Sequence, residues 1–131
     1  MGEYTVMRID DMEGIYGGAF KRARASVGAR SFGMQVIDLP PNIDQYPEHD
    51  HSDDGQEEVY IVLRGSCHMR VDGEEFDLEP ETIVRVAAGA RRQIYTTDAA
   101  ARVLALGGIP GKAYEPTALT ELGQPDPLAA S

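Results

Sequence analysis

Most of this chain is built from short stretches in which apolar and polar residues alternate, separated by glycine, proline and acidic turns. Alternation with period two marks a half-buried strand, because successive side chains leave a strand on opposite sides. Gly33 to Leu39 is one such strand, stopped by Pro40-Pro41, which cannot extend a hydrogen-bonded ladder. Glu58 to Leu63 is the clearest of the series and is ended by Arg64-Gly65. Cys67 to Val71 and Glu74 to Leu78 flank Asp72-Gly73, a pair suited to a type I′ hairpin turn, whose two central residues both need positive φ. Thr82 to Val86, Gln93 to Thr97 and Arg102 to Leu106 continue the pattern. Ahead of Phe32 it weakens. Tyr4 to Ile9 reads as a short strand, Gly14 to Gly18 as a turn, and the basic run Phe20 to Val27 as either a strand or one or two helical turns. Beyond Gly107-Gly108 and Pro110-Gly111, a tail carrying Pro116, Pro125 and Pro127 is expected to wrap the surface and fray from Leu128 to Ser131.

Roughly eight short strands at regular spacing, with no long amphipathic helix, predict an all-β sandwich or barrel. A length of 131 residues suits one domain with one core. The divisions expected are an N-terminal arm over 1–32, a barrel over 33–107 and a tail over 108–131. Within 58–63, one face carries Glu58, Tyr60 and Val62 and the other Val59, Ile61 and Leu63. Both faces ask for burial, so the outer one needs cover from the N-terminal arm or from a second subunit. A homodimer is the expectation.

Charge narrows the choice of partner. A net charge of -10 repels nucleic-acid backbones and anionic lipid, leaving a small molecule as the expected ligand. Cys67 is the only cysteine, so no intrachain disulfide can form and nothing argues for export. Met1 to Val6 holds no apolar signal core, and Val6 stands where myristoylation wants Ser or Thr. No apolar run reaches membrane-spanning length. A cytoplasmic location is expected.

The candidate chemistry lies in His49-Asp50-His51, followed by Glu57-Glu58 and Gly65. Histidines at i and i+2 of an extended segment project from one face, about 7 Å apart along the strand, within reach of one cation. If Glu58 arrives from a neighbouring strand, two imidazoles and one carboxylate form a facial set suited to a divalent transition metal with open positions. Taken by themselves, the two histidines are equally a solvated pair beside Glu48, Asp50, Asp53 and Asp54. Asp50, Asp53 and Asp54 read as a solvated mouth loop that could tune the histidines. His68 and Cys67 read as structural, and Glu57 as surface. Met34, Val36, Met69 and Ile94 serve as pocket wall or as core.

The order His49-x-His51, Glu58, six residues, Gly65 resembles the first motif of the cupin superfamily, written G-x5-H-x-H-x(3,4)-E-x6-G. Six residues separate His51 from Glu58, and Ile43 replaces the leading glycine. The second motif, G-x5-P-x-G-x2-H-x3-N, is degenerate: Gly89 fits, while Glu81, Ala87, Arg92 and Thr96 stand for its first glycine, proline, histidine and asparagine. The resemblance covers roughly residues 33–107. It implies a cupin-like double-stranded β-helix, a jelly-roll barrel, with Fe, Mn, Ni or Zn held by His49, His51 and Glu58.

Arg92 changes that chemistry most. A guanidinium has no lone pair, so Arg92 cannot serve as the fourth ligand. Either it pairs with Glu58 and weakens the site, or it faces the open positions and grips an anionic substrate in bidentate fashion. Period-two alternation places Arg92 with Ile94 and Gln93 with Tyr95; a one-residue slip would bring Gln93 inward as an oxygen donor. Tyr60, on the face of Glu58, is barrel lining or orients a substrate through its hydroxyl. Arg92 and Tyr60 are thus the residues expected to meet a substrate. The function implied is a small metal-dependent enzyme acting on an acidic or enolic metabolite by dioxygenase, isomerase or cyclase chemistry. The alternative is a non-catalytic module that binds an anion or a sugar.

Overall fold

The structure is a computed structural model and describes residues 3–128. Two antiparallel sheets face each other. The larger runs, in spatial order, β1 (Gly14–Ile15), β2 (Phe20–Lys21), β3 (Gly33–Leu39), β9 (Ala101–Gly108), β4 (Glu57–Gly65) and β7 (Ile83–Val86). The smaller runs β6 (Glu74–Leu78), β5 (Cys67–Val71) and β8 (Arg92–Tyr95). One short helix, α1 (Ala23–Val27), packs against β3 and is closed by Gly28 at φ 80°. The architecture is an all-β barrel, as the strand pattern predicts.

Register explains which side chains look inward. Ile37, Leu39, Tyr60, Val62, Ala101, Val103 and Ala105 of the larger sheet meet Cys67, Met69, Leu78 and Ile94 of the smaller in one buried cluster. Each strand contributes alternate residues, as a sheet with one inner face must. The turn at Asp72-Gly73 has φ of 49° and 85°, the paired positive values that a type I′ hairpin requires. Gly65 is forced by packing. Its φ is 74°, and a Cβ there would lie 2.0 Å from the carbonyl oxygen of Ala100.

Two sequence expectations need correction, at Tyr4 to Ile9 and at Leu63, and one open choice is resolved. Tyr4 to Ile9 is not a strand: it is irregular and leads into a 3-10 turn at Ile9–Asp11, with Tyr4 and Val6 exposed, so nothing holds their alternation in a ladder. Val36, read as pocket wall or core, is buried packing rather than wall: it pairs with Leu104, and Leu104 with Ile61, on the outer face of the sheet. Met34, opposite Leu106, shares that outer face. Leu63 also leaves the alternation, because a bulge between Val62 and Arg64 shifts the register and leaves its side chain exposed.

The basic run resolves into both of its alternatives, β2 followed by α1. Its arginines are internal partners for acidic residues. Buried Arg22 pairs with Glu13 at 2.9 Å and Arg24 with Glu121 at 3.2 Å. The tail lies back on this region: Arg22 Nε donates to the carbonyl of Leu119, and Asp126 accepts the N–H groups of Tyr16 and Gly17. Of the end expected to fray, residues 129–131 lie outside the described residues, as do residues 1–2 of the arm. Among the described residues no helix is long and apolar enough to cross a membrane.

Candidate metal centre

The histidine segment is built onto the edge of the smaller sheet. His49 N–H donates to Arg92 O at 2.9 Å and Arg92 N–H to His49 O at 2.8 Å, an antiparallel bridge that sets His49 beside the first residue of β8. Directly opposed residues share a face, so His49 points inward with Arg92, and His51 follows two positions later. A further bond, His51 N–H to Ala88 O at 2.7 Å, fixes the second histidine. Thr96 holds the approach to this segment: its hydroxyl donates to Pro40 O and accepts from Ile43 N–H. Glu58 arrives from the opposite sheet, on the inner face of β4 with Tyr60.

Both imidazoles are anchored by the nitrogen that faces away from the centre. His49 Nδ1 lies 3.2 Å from the carbonyl oxygen of Pro47, an atom that can only accept, so Nδ1 carries the hydrogen. His51 Nδ1 lies 3.2 Å from the Asp54 carboxylate. Each anchor leaves Nε2 turned toward Glu58, with Oε1 at 3.6 Å from His49 and 3.2 Å from His51. Rings held this way present their lone pairs in a fixed direction. One donor atom from each of His49, His51 and Glu58 lies within 4.8 Å of the other two. An ion coordinated at about 2 Å by each donor fits that spacing.

Glu58 Oε1 is crowded. Tyr60 donates its hydroxyl to it at 2.6 Å, and Arg92 Nη1 lies 3.3 Å away. Burial pushes the Glu58 carboxyl up, but the contact with His49, the hydrogen bond from Tyr60 and the nearby positive groups outweigh it and hold the carboxyl below its usual range. The contact with Glu58 in turn raises His49, against the opposing effect of burial. Tyr60 is driven upward by burial first and by Glu58 second, so its phenol stays protonated and donates. Tyr46, which the sequence did not single out, also faces this carboxylate: burial and Glu58 push its phenol up to about 12. Its place in an irregular loop gave no periodic signal.

Arg92 is 1% exposed and inward, as alternation requires. Nη2 donates to Ala87 O at 2.7 Å, whereas Nε and Nη1 are buried without a hydrogen-bond partner. The approach to Glu58 is therefore an ion contact without an aimed N–H, a state between the two alternatives the sequence left open. Gln93 faces the other way. It accepts from Arg70 and donates to the carbonyls of Asp44 and Tyr46, so it is no ligand here. His68 is bound to Asp77 and Thr97 and stacked on Tyr95, apart from the centre. Cys67 is fully buried, and burial pushes its thiol up to about 11, which makes it inert. Glu57 pairs with Arg85 on the surface. A cavity of about 700 Å³ lies toward the other end of β4, between Lys21, Asp38, Arg64 and Arg102, and none of the three candidate ligands lines it.

Comparison with known proteins agrees with this fold. The family model described as "Cupin domain" matches residues 35–107. A cupin protein from Bacteroides fragilis superposes with a TM-score of 0.68 at 21% identity, covering 95% of this chain and 99% of that one. A sugar phosphate isomerase of the cupin superfamily from Silicibacter pomeroyi gives a TM-score of 0.68 at 23% identity, covering 85% of this chain and 76% of that one. KdgF from Halomonas sp. gives 0.63 at 12% identity, covering 82% and 93%. No curated protein matches the chain significantly. At these identities the likeness is one of fold.

Proposed function

This chain belongs to the cupin family, and on that premise we propose that it is a metal-dependent enzyme acting on a small acidic or enolic metabolite. His49, His51 and Glu58 hold a divalent transition ion, one of Fe, Mn, Ni or Zn. One observation carries this: two imidazoles tethered through Nδ1 turn their Nε2 atoms onto a single ionised carboxylate. Bound there, such an ion supplies Lewis-acid or oxygen-binding chemistry. The chain's own residues supply the rest. Tyr60 fixes the carboxylate through its hydroxyl, and Arg92 offers N–H groups to an anionic or enolic oxygen from a site shielded from water. Dioxygenase, isomerase and cyclase chemistry are all compatible with such a centre; one structure of like fold is a sugar phosphate isomerase.

The test is elemental analysis of untagged protein purified without added metal. About one equivalent of a transition metal is expected, and none in the His49→Ala, His51→Ala variant. Failure to take up any of the four ions when each is supplied would remove this proposal. The close Glu58–Arg92 contact supports a second reading, a binding protein for an anion or a sugar with a weak metal site. Recovery of a bound metabolite that the protein never converts would favour it. We propose a homodimer for either case, through the outer sheet face where Leu63 and Ile83 are exposed; a monomeric mass in solution would remove that part.

A further inference from the structure

Arg92 holds a buried positive charge of whose three nitrogens one has a hydrogen-bond partner. Among the described arginines it alone leaves two nitrogens, Nε and Nη1, both buried and unpaired. Arg22 and Arg24 leave one each, and each of those makes a hydrogen-bonded ion pair with a glutamate. Around Arg92 stand His49, His51, Glu58 and Tyr60, and Glu58 is the one carboxylate within ion-pair distance. With no ion bound, one guanidinium and one carboxylate balance. A divalent cation taking Glu58 leaves two positively charged centres sharing a single carboxylate at a water-poor position, where such repulsion is poorly screened. A second negative charge is then required, and the unused N–H groups of Arg92 are the donors placed to receive it.

We infer that the His49–His51–Glu58 cluster and Arg92 form one two-part site in which a divalent cation and a small carboxylate each strengthen the binding of the other. The inference rests on the metal reading above and adds to it the class of co-ligand and the sign of the coupling. Coupling of this kind is reciprocal, so the carboxylate binds weakly without the cation and the cation weakly without the carboxylate. A neutral polyol has no negative charge to contribute and gives no such effect. Arg92 is therefore more than a lost ligand. It converts the fourth position from a donor to the metal into a receptor for an anion.

The test uses Co(II), titrated into the full chain and followed by its visible spectrum, once in sodium acetate and once in sodium perchlorate at equal ionic strength. Acetate is expected to tighten Co(II) about tenfold or more, the scale of one charge-assisted hydrogen bond. In Arg92→Met, Co(II) is expected to bind in perchlorate more tightly than in the parent, with no further gain from acetate. Equal Co(II) affinity in the two salts for the parent protein overturns the inference and leaves the metal reading standing. No Co(II) uptake in either salt overturns the metal reading itself. An Arg92→Met protein that keeps the acetate effect also overturns the inference. The salt comparison needs only the unaltered chain, so it decides the matter even if the variant does not fold.

Discussion

Two arginines separate a structural charge from a site. Arg102 lies 8% exposed on the outer face of β9, and Arg92 is 1% exposed on the inner face of β8. Arg102 donates from Nε to Asp38 at 2.7 Å, from Nη2 to the same carboxylate at 3.1 Å, and again from Nη2 to Asp10. Lys21 completes the cluster at 2.9 Å from Asp38. There the charges are matched by dedicated partners. Arg92 has one backbone carbonyl and a share in a carboxylate that two imidazoles and a phenol also contact. Similar burial with unequal pairing is the difference that matters. A satisfied guanidinium holds elements together, and an unsatisfied one beside potential metal ligands retains capacity for something not yet bound.

The largest effect expected at either end is on metal content. Glu58→Gln should take it from about one equivalent to a trace, whereas Arg102→Met should leave it unchanged by elemental analysis. Stability should respond in the opposite order. Arg102→Met strands Asp38 with only Lys21, and it is expected to cost about 2 kcal/mol in urea unfolding, below the range for a fully buried pair because Asp38 is 29% exposed. Arg92→Met should cost about 1 kcal/mol or less without metal, since Glu58 keeps Tyr60 and His49. A larger loss for Arg92 than for Arg102 would reverse the comparison.

Acid sharpens it further. Burial pushes the Asp38 carboxyl up, but hydrogen bonds from Arg102 and Lys21 outweigh that and hold it below its ordinary 3.8. On acidification the unfolded chain therefore takes up this proton first. The stabilisation is intact above the ordinary value and lost as pH falls through the lower, folded one. Arg102→Met should flatten the fall of stability with pH in that acid window, and Arg92→Met should leave this component in place. A comparably small effect belongs to Tyr60→Phe, which removes the 2.6 Å bond to Glu58 and is expected to cost about 1 kcal/mol in urea unfolding.

Much of this was legible because strands write their faces into sequence. Gly33–Leu39, Cys67–Val71 and Glu74–Leu78 have the bounds that alternation and turn residues predict. The inward placement of Arg92 with Ile94, and of Glu58 with Tyr60, follows from the same period of two. Nothing local distinguishes one face from the other, however. Whether Val36 lines a pocket or packs as core is set by its pairing with β9, far along the chain. The anchors on Pro47 and Asp54 and the position of Tyr46 depend on loop geometry, which has no period to detect. The unequal pairing of the arginines was likewise hidden, since Asp10 and Asp38 reach Arg102 only through folding.

The most direct test of the central claim is X-ray absorption on the zinc-loaded protein, which counts imidazole ligands. The chain has three histidines, and the account assigns two of them to the ion. Two imidazoles with oxygen donors in the remaining positions are predicted. One imidazole or none would contradict the centre, and so would three, which would draw in His68 from its bonds to Asp77 and Thr97.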